Sequence, residues 1–90
     1  MGELIIADHA LKHGLSPIEI ESAWKNYLVK QYRGAPNEGE IIAIGCDNKT
    51  RLVEMVAAER SFGTIIFHAM TPPSANALRE LGLKSKGRQP

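Results

Sequence analysis

Apolar residues in the first third of the chain recur at the three- and four-residue spacing of an amphipathic helix. The stripe consists of Ile20, Ala23, Trp24, Tyr27 and Leu28. Ser16 can cap this helix with its hydroxyl, and Glu19 three residues later completes a capping box. Pro17 suits the first helical position, where a missing N–H has no cost. The pattern predicts a helix over residues 17–28.

A shorter helix is predicted before this one. Residues 1–6 become apolar towards their end and fit either a brief strand or the lead into a helix. Asp8 can cap a helix over residues 8–13, and Gly14 can end it because glycine adopts the left-handed conformation at little steric cost.

Four segments with strand-like patterns follow, separated by residues that favour turns. They cover residues 29–33, 40–46, 51–59 and 64–70. The second segment is almost continuously apolar, which is typical of a central strand buried on both faces. In the fourth segment, alternation places Phe67 and Ala69 on one face and Ile66 and His68 on the other.

A final short helix is predicted after the two prolines at 72 and 73, ending near Gly82. Residues 84–90 are basic and polar, and we expect them to form a flexible tail. The predicted domain therefore covers residues 1–83 and is of the α+β class. It has two N-terminal helices, a four-stranded antiparallel meander sheet and one C-terminal helix.

Charge and cysteine content narrow the range of partners. The chain has 90 residues and a formal net charge of +1, so any contact with RNA must come from a local basic patch. The single cysteine, Cys46, excludes an intramolecular disulfide and fits a reducing cytoplasm. No apolar run has the length of a membrane span, so we expect no membrane association.

Two histidines and a lysine lie near one face of the first predicted helix. His9, Lys12 and His13 have the spacing of neighbours on a helix surface. They fit either a solvated polar face or a cationic, titratable edge beside an anionic substrate. His9 and His13 could also share a metal with His68, but no nearby cysteine or acidic ligand supports this, and we expect neither metal nor cofactor.

Further polar residues lie on the last two strands and the final helix. If these strands pair through the turn near Phe62, Arg51 and His68 come to the same edge of the sheet. A metal-free ribonuclease needs a base for the 2′-hydroxyl, an acid for the leaving oxygen and cations around the phosphorus. Histidine, glutamate, lysine and arginine are suitable side chains for these roles.

Several short motifs across residues 9–81 resemble those of one protein family. They are Lys12, His13 and Gly14 with Ser16, residues 42–45, Arg51 with Leu52, Glu59 with Arg60, and Ala69. The family is that of the BrnT-like toxins, RelE-like members of bacterial type II toxin–antitoxin modules. The resemblance implies a cytoplasmic, metal-independent endoribonuclease that a cognate antitoxin inhibits. It also implies that the chain forms a homodimer or a toxin–antitoxin complex.

The pattern and the resemblance together define a candidate site. We expect catalysis from Lys12, His13, Arg51 and His68, and substrate binding from His9, Glu54 and Arg79. The alternative is a non-catalytic domain of the same fold that binds a protein or RNA. The low net charge favours this alternative, as does Met70, where these toxins commonly have arginine. The histidines and lysine of the first helix favour the enzyme.

Overall fold

A computed structural model describes residues 2–83, which form one sheet with a helix packed on each face. The elements in chain order are β1 (Glu3–Ile6), a 3₁₀ helix (Asp8–Leu11), α1 (Pro17–Lys25), β2 (Tyr27–Tyr32), β3 (Glu40–Cys46), β4 (Leu52–Arg60), β5 (Gly63–Met70) and α2 (Ala75–Glu80). The tail predicted over residues 84–90 lies outside the described residues. Within residues 2–83, no helix has the length and apolar character needed to cross a membrane.

The sheet has five strands in the order β1-β5-β4-β3-β2, and β1 runs parallel to β5 while the other pairs are antiparallel. The structure is of the α+β class, but the predicted four-stranded antiparallel meander with three helices is wrong. The first residues form an edge strand, and the amide of Glu3 donates to the carbonyl of Phe62 at 3.0 Å. Residues 8–11 make only one 3₁₀ turn instead of the predicted helix. Both errors concern segments of four residues, which are too short for periodicity to identify.

The start of α1 is as predicted, but its end is not. The hydroxyl of Ser16 accepts from the amide of Glu19 at 3.2 Å, and the carboxylate of Glu19 accepts from the amide of Ser16 at 2.9 Å. The capping box is therefore confirmed. The helix ends at Lys25, whereas the prediction continued to residue 28. Tyr27 instead pairs with Gly45 of β3, because pairing in the sheet replaces the last predicted helical turn.

Two apolar cores lie on opposite faces of the sheet. One contains Ile20 and Ala23 of α1 together with Val53, Met55, Ile66 and Ala69 of the strands. The other contains Ala77 and Leu81, at and after α2, together with Ile42, Ile44 and Val56. β3 lies between β2 and β4 and is buried from Ile41 to Gly45, which confirms the predicted central strand.

A β-bulge in β5 determines which way its second half faces. Val56 of β4 pairs with His68, whereas the next residue, Ala57, pairs with Ile66. Phe67 is thus an extra residue, and it packs in the same core as Val56. Ile66 and Ala69 consequently share the opposite core, so the predicted alternation along this strand is wrong. The bulge leaves His68 opposite Val56, on the side of the sheet covered by α2.

Candidate functional site

A buried carboxylate and an imidazole form the centre of the candidate site. Glu54 comes from β4 and is only 6% exposed. Its Oε2 lies 2.6 Å from Nε2 of His68 on β5, and its Oε1 accepts from the backbone amide of Ser74 at 2.7 Å. Each carboxylate oxygen therefore has a partner, as a buried charge requires.

These partners keep Glu54 ionised. Burial raises the pKa of the Glu54 carboxyl, but the hydrogen bonds from Ser74 and His68 lower it by a larger amount. The pKa of Glu54 therefore lies below its ordinary value. An ionised carboxylate can only accept hydrogen bonds, so Nε2 of His68 must be the donor. In the neutral imidazole, Nδ1 is then the nitrogen that can accept a proton.

A second imidazole lies against the first. The ring centroids of His13 and His68 are 5.6 Å apart, and the rings meet edge to face at 79°. β1 ends at Ile6, which pairs with Ile66, so β1 does not extend along residues 67–70 of β5. The 3₁₀ helix packs on β5, and His13 follows it as an exposed side chain. The two imidazoles thus meet beside the part of β5 that does not pair with β1.

Arg51 belongs to a different cluster. Its Nη2 and Nε lie 2.8 and 2.9 Å from Oδ2 of Asp47, and Nη2 lies 3.3 Å from the carboxylate of Glu19. The hydrogen bond that Arg51 donates to Asp47, together with the attraction of the Asp47 and Glu19 carboxylates, raises the pKa of Arg51 above its ordinary value despite partial burial. Lys49 completes the cluster, with Nζ 2.6 Å from the carboxylate of Glu19. These ion pairs join the start of α1 to the turn between β3 and β4.

The strand ends meet as the hairpin geometry predicts, but the side chains diverge. The hydroxyl of Thr71, just after β5, donates to the carbonyl of Leu52 at the start of β4. The guanidinium of Arg51 nevertheless points to α1 and Asp47, and within residues 2–83 its side-chain partners are Asp47 and Glu19, not His13 or His68.

The seven predicted site residues therefore divide into groups. The structure brings together His13, Glu54 and His68. Lys12 is exposed and precedes His13 in the chain, and His9 is exposed on the 3₁₀ helix. Arg79 is exposed on α2, where it donates to the side chain of Asn76.

Sequence reasoning missed the part played by Ser74. Its amide is one of the two partners of Glu54, although 20 residues separate them. The available signal was the single carboxylate within the apolar run of residues 53–58, since a charge buried in such a strand needs partners. That signal identifies Glu54 as a residue that needs partners, but it does not indicate which backbone amide donates to it.

Two further candidates in the described part of the chain are a metal site and a surface groove. Among residues 2–83, no group of three or more histidine, cysteine or acidic side chains is arranged to hold a metal ion. An open groove of about 560 Å³ lies at the other end of β5, around Gly63 and Trp24, and none of the seven site residues lines it. No family model matches the chain, and no curated protein or solved structure is significantly similar to it.

Proposed function

We propose that this chain is a metal-independent endoribonuclease of the toxin type, with His68 as general base and His13 as general acid. One observation carries the proposal: an imidazole held by a buried carboxylate at 2.6 Å has a second imidazole beside it, 5.6 Å away between ring centroids. General acid–base catalysis needs two such groups within reach of one reacting phosphate.

The proposed reaction uses the 2′-hydroxyl of RNA as the nucleophile. Nδ1 of His68 takes the hydroxyl proton while the oxygen attacks the adjacent phosphorus. Protonated His13 gives a proton to the departing 5′-oxygen, and the products are a 2′,3′-cyclic phosphate and a 5′-hydroxyl. Glu54 holds the imidazole of His68 in place and stabilises the positive charge that forms on it. Lys12 adds a positive charge beside His13 for binding the phosphate backbone.

Arg51 has no catalytic part in this proposal, because Asp47 and Glu19 already compensate its charge. An inhibitory partner protein and a cytoplasmic location remain part of the proposal, and they rest on the BrnT-like motifs alone.

Induced expression in a bacterial host tests this function. We expect the wild-type chain to arrest growth with decay of cellular RNA, and His68→Ala to do neither at equal protein level. Lys25→Gln provides a control, because Lys25 is an exposed residue of α1 that pairs with Glu21 at the helix surface. Toxicity of the wild type that persists in His68→Ala would refute the assignment. Expression together with a neighbouring small open reading frame should restore growth if that frame encodes the antitoxin.

The second candidate is a non-catalytic domain that binds protein or RNA. The observation that favours it is the compensation of two arginines: Arg51 by Asp47 and Glu19, and Arg33 by Glu40 and Glu80. With a formal net charge of +1, such pairing limits the positive charge available to a nucleic acid. A wild-type chain that neither arrests growth nor causes RNA decay would support this candidate.

A further inference from the structure

α2 is anchored at both ends by polar contacts with the sheet. It has six residues, a length at which a helix is not stable without tertiary contacts. Before its start, the amide of Ser74 donates to Glu54 at 2.7 Å. Near its end, Arg33 donates to both oxygens of Glu80, at 2.8 Å from Nε and 3.1 Å from Nη2. Arg33 also contacts Glu40 at 2.8 Å, so the guanidinium joins α2 to β3.

We propose that α2 sets the orientation of His68 through Glu54, and that Arg33 is a remote positioning residue for the candidate site. The connection has three steps. Arg33 fixes Glu80 and with it the end of α2, the seated helix holds the amide of Ser74, and that amide fixes Glu54 against His68. Only the prediction about cleavage below rests on the proposed function.

Because Glu54 is buried, a change at Ser74 should alter the contact between Glu54 and His68. A buried carboxylate that loses one donor is left with an unsatisfied oxygen, which is costly unless the group rotates or admits water. Either response changes the hydrogen bond that the other oxygen accepts from His68. The bidentate contact of Arg33 with Glu80 has a fixed planar geometry, so it orients the helix end, which Gln31 also contacts by donating to the carbonyl of Glu80 at 3.1 Å.

NMR of the imidazole nitrogens measures this coupling without any substrate. In the wild type we expect a downfield proton signal from Nε2 of His68, protected by its bond to Glu54 and assigned by its absence in His68→Ala. Arg33→Gln should lose this signal, and so should Glu80→Gln, which removes the negative charge from the other side of the same contact. Arg60→Gln should keep it, because Arg60 is exposed and, within residues 2–83, donates only to the carbonyl of Glu59.

The result that overturns the proposal is a folded Arg33→Gln or Glu80→Gln protein that retains the wild-type His68 signal. The backbone amide spectrum establishes folding, and Glu80→Gln leaves the pair of Arg33 with Glu40 intact, so one variant remains informative if the other unfolds. Where the wild type cleaves RNA, Arg33→Gln should lower kcat by about ten- to a hundredfold with little change in KM. If the wild type does not cleave RNA, the proposed function fails, while the imidazole signal still decides the coupling.

Discussion

The carboxylate of Glu54 lies 2.6 Å from the imidazole of His68, although 14 residues separate them on neighbouring strands. In the register of β4 and β5, Glu54 pairs with Met70 and His68 pairs with Val56, so the contact is diagonal. The bulge at Phe67 produces this register. A local irregularity of one strand therefore brings together the two groups on which the proposed chemistry depends.

The close crossing of α1 over β3 predicts that Gly45 cannot be enlarged. A Cβ built there would overlap the carbonyl oxygen of Ala23, and this backbone contact cannot move without shifting the helix. We expect Gly45→Ala to lower the free energy of unfolding by about 1–3 kcal/mol, measured by urea denaturation. Gly34→Ala is the control, because no atom of the described residues lies within 4 Å of the added Cβ. Equal stability of the two variants would show that α1 does not cross β3 at this point.

Arg51 should contribute to stability rather than to cleavage. Arg51→Gln leaves Asp47, whose side chain is fully buried, without its cationic partner. We expect a lower urea midpoint than in the wild type, whereas the exposed Arg60→Gln should unfold close to the wild-type midpoint. Unchanged stability together with a complete loss of toxicity in Arg51→Gln would instead show that Arg51 takes part in catalysis or in binding the substrate.

The cluster around Glu19 predicts a loss of stability in acid. The pKa of this carboxyl is lowered from 4.5 to about 2, mainly by the hydrogen bond from Lys49 and then by the amide of Ser16. Because the folded state holds the ionised form, its contribution is complete above pH 4.5 and is lost as the pH falls through about 2. Glu19→Gln keeps a capping side chain without the charge, and its stability should depend less on pH over this range.

The surface pair at Glu21 provides the matching control for this titration. Glu21 lies on the same helix and pairs with Lys25, with both side chains largely exposed. Glu21→Gln should keep the acid sensitivity of the wild type when unfolding is followed from about pH 6 to about pH 2, the interval over which carboxyl groups go from ionised to protonated. Identical profiles for the wild type and Glu19→Gln would refute the role given to this cluster.

The N-terminal cap of α1 should make a small contribution to the free energy of unfolding. Ser16→Ala removes the hydroxyl that accepts from the amide of Glu19, and we expect a loss of about 1 kcal/mol in the free energy of unfolding. Ser61→Ala, in the turn between β4 and β5, should change this free energy by less than about 0.5 kcal/mol. A similar result for both serines would mean that the cap does not contribute to α1.

Features with a local physical cause could be predicted from the sequence. The capping box depends on residues three apart, and the burial of β3 follows from its own continuous apolar run. β1 could not be placed in this way, because its pairing with β5 depends on residues about sixty positions later in the chain. The bulge at Phe67 likewise has no glycine or proline to mark it, so simple alternation placed Phe67 on the same face as Ala69, whereas the two residues pack in opposite cores.

In the candidate site too, local strand pairing could be predicted, whereas side-chain contacts could not. Strand pairing made it reasonable to expect Arg51 near His68, and the ends of β4 and β5 do meet through Thr71 and Leu52. The direction of the Arg51 side chain is decided by Asp47, four residues earlier in the same turn, and by Glu19 of α1, which both bind the guanidinium. Spacing along a strand gives no information about such partners.

Cleavage of a defined RNA by the purified chain tests the proposed function most directly. The substrate is a short RNA in buffer with EDTA, compared with the same sequence made as 2′-deoxy nucleotides. We predict that the wild type cleaves only the RNA, leaving 2′,3′-cyclic phosphate and 5′-hydroxyl ends, and that His68→Ala is inactive while Lys25→Gln is active. Absence of cleavage by the wild type, or equal cleavage by His68→Ala, would contradict the assignment of His68 and its neighbours as an RNA-cleaving site.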